Sequence, residues 1–215
     1  MNLGQLRTEL QTLGYGTDVA TQQTAFINAA YREIHSSKRW PFLEATDTTQ
    51  STVAGTASYT PPMANWRNID AVRIADSLGY DPCIEYMEPQ DLLERLHRDT
   101  DTNVPMYWTM YAQKLFLYPT PDKVYTVTYY YINEPADLSS DSDIPVIPIA
   151  YHDALIAGAV CRMTHRERDW IGLELWTTKY QQLVQALNDE YLLRQRQTSS
   201  HVQRSGYNNI SPYRF

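Results

Sequence analysis

The residues from Pro105 to Pro135 read PMYWTMYAQKLFLYPTPDKVYTVTYYYINEP, and the rest of the chain is interpreted around them. Aromatic, β-branched and leucine side chains dominate this stretch, a composition that favours pleated, half-buried surfaces. Ala112-Gln113 predicts a short reversal between two strands, and Pro119 to Asp122 predicts a break because each proline removes a ladder donor. The stretch therefore predicts a three-stranded meander with large rings on both faces. Such a meander needs cover from helices or from a neighbouring subunit.

Apolar residues recur at helical spacing on both sides of this stretch. Leucines between Leu3 and Leu13 lie three and four residues apart, and Phe26 to Ile34 repeats the pattern, which predicts two amphipathic helices near the start of the chain. Thr17 or Asp18 is expected to cap the second of these helices. Pro148 suits the first turn of a later helix, in which the small residues Ala154, Ala157, Gly158 and Ala159 are expected to let another helix approach closely. The last predicted helix runs to about Arg196. It carries the most regular apolar stripe, at Leu173, Trp176, Tyr180, Leu183, Leu187 and Tyr191.

These patterns predict an α+β fold with three parts. Residues 1–42 and 144–196 are expected to form an α-helical bundle from N- and C-terminal helices. Residues 43–143 are expected to form an inserted antiparallel β-rich domain, and residues 197–215 an extended C-terminal arm. The arm lacks periodicity but carries spaced apolar side chains, which a free terminus has little reason to keep. We therefore expect it to become ordered on contact with a partner, with a frayed terminus as the alternative.

The charge is unevenly distributed along the chain. A formal net charge of −7 argues against a protein whose main task is to grip DNA phosphates. Beyond Glu190 there are arginines at 194, 196, 204 and 214 and no carboxylate. An acidic body with a basic tail suggests that the tail docks on something acidic, while a solvated terminus is the plain alternative. No run of residues is long and apolar enough to span a bilayer.

The 17 tyrosines are the most unusual feature of the composition. Tyrosine gives a large contact area at low entropy cost and is enriched at protein interfaces. The aromatic ladder also resembles a stacking platform for sugars or single-stranded nucleic acid, but such platforms combine rings with cations. Lys114 and Lys123 are the only cations between Pro105 and Pro135. Core or interface rings are therefore the favoured interpretation.

Signatures of catalysis and of metal binding are absent from the sequence. It contains no Gly-rich phosphate loop, no H-E-x-x-H and no G-x-S-x-G. Asp137, Asp141 and Asp143 could supply oxygen ligands to a cation, but turn-forming acids are the better interpretation because the glycine and glutamate of a Ca²⁺ loop are missing. Cys83 and Cys161 are predicted to be reduced, buried thiols. We predict no catalytic residue, no metal site and no cofactor.

Several segments, taken together and in order, point to one family. They are INAAYREI (27–34) followed by WPFLE (40–44), PMYW (105–108), LFLYPTPD (115–122), YYYINEP (129–135) and IPVIPIAYHDALIAGA (144–159). This series resembles tailed-phage head-to-tail adaptor proteins, also called head completion or connector proteins. The resemblance covers roughly Phe26 to Leu187.

The resemblance implies an α-helical bundle that carries a β domain and has no enzymatic activity. It implies a structural virion protein at the head–tail junction, synthesised in the host cytoplasm. Such adaptors form a ring, commonly of twelve copies, beneath the portal. The ring joins the DNA-filled capsid to a downstream tail or neck protein and continues the DNA channel. Genomic DNA is expected to pass without sequence-specific binding, and no membrane is involved.

Two sets of residues are predicted to make these contacts. The C-terminal helix and arm are expected to reach the portal through Tyr180, Leu187, Tyr191, Arg194, Arg196, Arg204, Tyr207, Ile210, Tyr213 and Phe215. The contact between neighbouring subunits is expected at Tyr107, Trp108, Tyr118, Tyr125, Tyr129 and Tyr131.

Two alternatives stay open at this level. The first is another virion neck or tail component, such as a tail terminator or a minor tail protein. The second comes from a different class and is a carbohydrate-binding or hydrolytic β-domain that uses the tyrosine ladder.

Overall fold

The computed structural model describes residues 1–15, 20–79 and 81–193, with the side chain of Leu193 excepted. The fold is mixed α+β, as predicted, and the chain divides into two compact units. The helical unit comprises Met1–Phe42 and Asp137–Phe215, and the β unit comprises Leu43–Ala136. Within the described residues the α-helices are α1 (Leu3–Leu10), α2 (Ala20–Ser37), α3 (Pro89–Arg98), α4 (His152–Glu167) and α5 (Trp170–Asn188).

The first predicted helix is confirmed over most of its length. Leu3, Leu6 and Leu10 are fully buried on one face of α1, and Asn2 caps its N-terminus by accepting a hydrogen bond from the Gln5 amide. A short π-helical turn, Gln11–Tyr15, follows, in which Gly14 adopts a φ of 92°. This turn leaves Leu13 exposed, so the prediction that Leu13 continues the buried stripe is wrong. The predicted caps of the next helix, Thr17 and Asp18, lie outside the described residues.

Helix α4 is the centre of the helical unit. Its residues from Ala154 to Val160 are all buried, and α2 and α5 both pack against it. A Cβ atom on Gly158 would lie 2.7 Å from the Cβ of Ala30 on α2 and 3.0 Å from Cε2 of Tyr180 on α5. The absence of a side chain at Gly158 therefore sets the close approach of both neighbouring helices. This confirms that the small residues of this segment serve helix packing.

The acidic loop from Asp137 to Asp143 packs on the helical unit, whereas the sequence placed it in the β-rich domain. The amides of Leu3 and Gly4 donate to the carbonyl oxygens of Asp143 and Asp141 at 2.9 and 3.1 Å. The Asn28 side chain makes hydrogen bonds of 2.9 and 3.0 Å to the backbone of Leu138. The loop thus satisfies amides at the start of α1, which have no partner within their own helix.

The β unit contains a curled seven-stranded sheet in the order β1-β9-β3-β4-β6-β7-β2 and a two-stranded parallel ladder of β5 and β8. Neighbours in the large sheet are antiparallel except β4 and β6, which are parallel. The strands are β1 (Glu44–Ser51), β2 (Ser58–Tyr59), β3 (Trp66–Ala75), β4 (Cys83–Tyr86), β5 (Thr102–Asn103), β6 (Tyr107–Tyr111), β7 (Lys114–Tyr118), β8 (Thr120–Pro121) and β9 (Thr126–Asn133).

The predicted three-stranded meander is only half correct. Strands β6 and β7 form the expected hairpin, with Ala112 and Gln113 at φ values of 51° and 62° in its turn. Strand β9, however, does not continue beside β7 but lies between β1 and β3. The two prolines at 119 and 121 cannot donate to a ladder, so the chain leaves the sheet and crosses to a distant position.

The core of the β unit lies on the inner face of the curled sheet. Its two edge strands approach each other, since the Gln50 side chain of β1 donates to the carbonyl oxygen of Thr60, just beyond β2, at 2.9 Å. The buried side chains that fill the interior are Tyr59, Met63, Ile69, Val72, Ile74, Ile84, Trp108, Leu115, Leu117, Tyr125, Val127 and Tyr129.

Alternation along the sequence places Tyr125, Val127, Tyr129 and Tyr131 on one face of the segment that forms β9, and the structure confirms this grouping. Tyr125, Val127 and Tyr129 are buried in the core of the β unit, and the half-buried Tyr131 packs against the same core. Ile132 is also buried, on the other face of the strand. The register shifts between Trp66 and Asn68 and between Ile69 and Ala71 place the extra residues on β3, so the alternation of β9 is kept.

Both cysteines are free, but only part of their predicted burial is observed. Cys83 is exposed at the start of β4, so the prediction of a buried thiol there is wrong. Cys161 is half-buried, and burial raises the pKa of its thiol. Among the described helices, none combines the length and the apolar character that crossing a membrane requires.

Candidate interaction surfaces

Three of the residues predicted to reach the portal lie on the described part of the C-terminal helix. Leu187 is fully buried, Tyr180 is half-buried with its ring against Gly158, and Tyr191 meets Phe42 edge-on with 5.6 Å between ring centroids. These side chains attach α5 and the π-helical turn Asp189–Leu193 to the helical unit. The other predicted residues, Arg194, Arg196, Arg204, Tyr207, Ile210, Tyr213 and Phe215, lie outside the described residues.

A groove of about 830 Å³ lies between α2, α4 and α5. Phe26, Leu173 and Tyr180 supply its apolar walls, and Glu33 and Arg162 lie at its rim as an ion pair with 2.5 Å between oxygen and nitrogen. Arg162 also donates to the carbonyl oxygen of Gly158 at 2.8 Å. Burial is the main reason that the pKa of the Tyr180 hydroxyl lies above its ordinary value of 10.0. The groove can accept an apolar side chain beside a fixed pair of charges.

The outer side of α5 is a surface that the sequence interpretation missed. We call Trp170, Ile171 and Leu175 the α5 face, since all three are large apolar side chains that are mostly exposed. Only Leu187 is buried among the 19 residues of this helix. The sequence analysis used only the regular apolar stripe from Leu173 to Tyr191, which lies on the opposite side of the helix. The i, i+4 spacing of Ile171 and Leu175 could have indicated the α5 face.

Half of the rings predicted for the contact between subunits are covered by the chain itself. Trp108, Tyr125 and Tyr129 are buried in the core of the β unit. The Tyr125 hydroxyl donates to the Asp122 carboxylate at 2.7 Å, and the Tyr129 hydroxyl donates to the Gln50 side chain. Burial raises the pKa of Tyr129 above its ordinary value. Because these three rings are buried, they expose little surface to a neighbouring subunit. The proposed contact between subunits through the β unit is therefore limited to Tyr107, Tyr118 and Tyr131.

Those three rings, Tyr107, Tyr118 and Tyr131, are half-buried. Tyr107 and Tyr118 are cross-strand partners on β6 and β7, and their ring centroids are 6.5 Å apart. The Tyr118 hydroxyl donates to Asp99 at 2.6 Å, and this hydrogen bond is the first reason that its pKa is raised. Met106 precedes β6 and Tyr111 ends it, and both side chains are exposed.

The acidic loop has structural partners for each of its carboxylates. Asp141 pairs with Arg7, and Asp137 lies 3.3 Å from Arg32. Asp143 accepts from the amides of Ser139 and Ser140 at 2.8 Å each, and these hydrogen bonds lower its pKa. In the ranges that the structure describes, no three His, Cys, Asp or Glu side chains are grouped as metal ligands. The loop acts as a turn that holds α1 and α2.

His152 is a buried histidine at the start of α4. Its Nε2 lies 2.8 Å from the carbonyl oxygen of Ile147, and its Nδ1 lies 2.8 Å from the amino group of Met1. Because Nε2 faces an acceptor and Nδ1 faces a donor, the neutral imidazole with its proton on Nε2 fits the site. Burial lowers the pKa of His152 below its ordinary value of 6.5.

We expect the stability of the helical unit to fall as pH decreases from about 7 to about 5. With its lowered pKa, His152 binds fewer protons in the folded chain than in the unfolded chain across this window. Acid therefore favours unfolding. The free energy of unfolding, measured in urea across this range, should decline less steeply in His152→Gln than in the wild type. His165→Gln, at an exposed histidine of the same helix, is the matched control. Equal slopes for His152→Gln and the wild type would contradict this.

The sequence of the chain matches one protein family. A family model described as SU10 adaptor protein matches residues 1–206. No curated protein matched the chain. The matched family consists of phage head-to-tail adaptors, which are structural proteins and not a known enzyme family. Because the match extends over both the helical unit and the β unit, the chain belongs to the SU10 adaptor protein family of phage head-to-tail adaptors.

Proposed function

We propose that this chain forms a ring beneath the portal, joins the DNA-filled capsid to the tail and continues the DNA channel. The family match over residues 1–206 is the observation that carries the proposal. The ring contains twelve copies, the number that the resemblance to head-to-tail adaptors implies. The chain acts by assembly and not by catalysis, and the portal and a downstream tail or neck protein are its partners in the virion.

Charge supports the role of a channel component. The chain carries a formal net charge of −7, although its last residues are basic. A ring of such subunits creates a negative potential that repels DNA phosphates, so DNA slides past without a tight site. The segment after Glu190 is basic, with Arg194, Arg196 and Arg204, and it docks on an acidic surface of the portal in this proposal.

The end of the chain is proposed as the portal contact. The segment 197–215 combines spaced apolar anchors with arginines, a pattern that suits a segment that folds on binding. It follows the helix α5 and the turn Asp189–Leu193, which Leu187 and Tyr191 attach to the helical unit. Each copy in a ring offers one such segment, so weak individual contacts add up to strong attachment.

The alternative of a carbohydrate-binding domain loses its main support. A stacking platform needs ring faces that are open to the ligand. Trp108, Tyr125 and Tyr129 are buried in the core instead. No observation favours a second function over the adaptor role.

The mass of the purified chain, measured with and without its portal, tests the proposal. We expect a complex whose mass exceeds that of the portal ring by about twelve subunits, since a ring on a ring must close. A glycan array in parallel should show no binding. Absence of any complex with the portal would contradict the proposal.

A further inference from the structure

We propose that neighbouring copies join head to tail, with the α5 face of one copy packed on the segment before α4 of the next copy. We call Ile144, Val146 and Ile149 the pre-α4 segment. This inference rests on the proposed function, because that function requires copies of the chain to form a ring. It assigns the contact between copies to the helical unit, in addition to any contact through the tyrosines of the β unit.

The exposure of these side chains is the first observation. On the α5 face, Trp170, Ile171 and Leu175 are 63%, 86% and 68% exposed. In the pre-α4 segment, Ile144, Val146 and Ile149 are 69%, 41% and 75% exposed. Water contact of large aliphatic and aromatic side chains is unfavourable, and contiguous exposed apolar groups mark interaction sites. Each of the two surfaces is therefore a candidate contact site.

The apolar character of both sides of α5 near its start is the second observation. Leu173, Trp176 and Tyr180 face the helical unit, where they are half-buried, while Ile171 and Leu175 are exposed and left uncovered by the described residues. Further along the helix the exposed positions are polar, as at Thr178, Gln182 and Gln185. The exposed side of a surface helix is normally polar, so the apolar side chains at the start of α5 mark a surface for another polypeptide.

The position of the two surfaces decides how copies pair. Helix α5 runs antiparallel to α4, because Tyr151 donates to Glu190 at 2.5 Å while Cys161 lies 3.8 Å from Thr177. The pre-α4 segment therefore precedes the first turn of α4, and the α5 face follows its last turn. Helix α4 has 16 residues, which separates these ends by on the order of 24 Å. Two different surfaces at opposite ends suit a head-to-tail contact, which repeats around a ring.

Most charges near the two surfaces already have a partner within one copy. Of the four aspartates in residues 137–153, Asp137 and Asp141 pair with Arg32 and Arg7, and Asp143 accepts from two backbone amides. Near the α5 face, Arg166 lies close to Glu167, and Asp169 accepts from the Gly172 amide. The charged groups that can act between copies are therefore those without such a partner.

Within the described ranges, Arg168 and Asp153 have no side-chain hydrogen bond or ion pair, and both are exposed. Each lies within four residues of its own apolar surface. Arg168 of one copy can therefore pair with Asp153 of the next when the two apolar surfaces meet.

A disulfide trap tests the contact. The variant Leu175→Cys with Ile149→Cys is made in a Cys83→Ser background, because Cys83 is exposed. The full chain is oxidised at high concentration, both alone and with its portal, and is run on a non-reducing gel. We expect a ladder of multimers from the double variant and none from Ile149→Cys alone. Leu175→Cys alone should give no dimer, because the α5 face does not pair with itself.

Substitutions provide a second readout. Ile171→Glu with Leu175→Glu should reduce the number of copies on the portal at least tenfold. Leu78→Glu, at an 86% exposed leucine of the β unit, should leave that number unchanged. Arg168→Glu and Asp153→Arg should each weaken assembly, and the two changes combined should restore most of it.

The outcomes separate this inference from the proposed function. A portal complex of full mass without a ladder, and with unchanged copy number in the glutamate variant, overturns the inference and leaves the adaptor role intact. Strong dimers from Leu175→Cys alone also overturn it. A ladder from the chain alone without any portal complex supports the inference while the proposed function fails. No ladder and no portal complex contradict both.

Discussion

Deletion of residues 197–215 is expected to abolish docking on the portal while the helical unit stays folded. The deleted segment carries Arg204 and the proposed apolar anchors, which are Tyr207, Ile210, Tyr213 and Phe215. Loss of several anchors that contribute about 1–2 kcal/mol each weakens binding by about 100-fold or more. The measurement is the affinity of the full-length and truncated chains for the purified portal at fixed salt.

The truncated chain must keep its fold for this result to be informative. Every described core residue lies before residue 194, so the unfolding transition of the truncated chain should match that of the full chain. A full-length variant with serine at the four apolar anchors is the matched control, since it preserves the length and the arginines. It should lose affinity almost as strongly. Unchanged docking by both variants would show that the arm is not the portal contact.

Gly158→Leu is expected to lower the free energy of unfolding of the helical unit by about 3 kcal/mol. The first added atom already lies 2.7 Å from the Cβ of Ala30, which is fixed to the backbone of α2. On its other side it lies 3.0 Å from the ring of Tyr180. The bulk of a leucine forces α2 and α5 away from α4, which outweighs the gain of up to about 1 kcal/mol from replacing a helical glycine. Urea unfolding followed by circular dichroism measures the change.

A double-mutant comparison isolates the proposed cause. In Gly158→Ala the new Cβ meets the Cβ of Ala30, and Ala30→Gly removes one of the two atoms in conflict. Ala30→Gly should therefore be less harmful in the Gly158→Ala background than in the wild type. Additive effects of the two changes, or a Gly158→Leu variant within about 0.5 kcal/mol of the wild type, would show that the helices do not depend on this close approach.

Local patterns predicted most of the helices and the β6–β7 hairpin. Leucines at helical spacing located α1, and the run of small residues around Gly158 indicated where helices come close. The tight turn at Ala112-Gln113 could be predicted because both residues lie between two runs of strand-forming residues. These features depend on neighbours in sequence, which is why periodicity reveals them.

The order of the strands in the sheet, and the burial of Trp108, Tyr125 and Tyr129 in the core, could not be predicted from the sequence. Strand β9 pairs with β1 and β3, whose paired residues lie between 51 (Ala75 and Thr126) and 88 (Glu44 and Ile132) positions away along the chain, and no local pattern encodes such pairing. Alternation groups Tyr125 with Tyr129, but it does not tell whether their shared face meets the chain's own core or a neighbour. The exposed α5 face was missed for a related reason, because a regular stripe at Leu173 and Tyr180 made the other side of the helix look like solvent surface.

A reconstruction of the intact virion tests the adaptor role most directly. We predict a closed ring of this chain between the portal and the first tail component, with both the helical unit and the β unit recognisable in each copy. Density for the chain in the capsid shell or at the far end of the tail, or a single copy at the neck, would contradict the account.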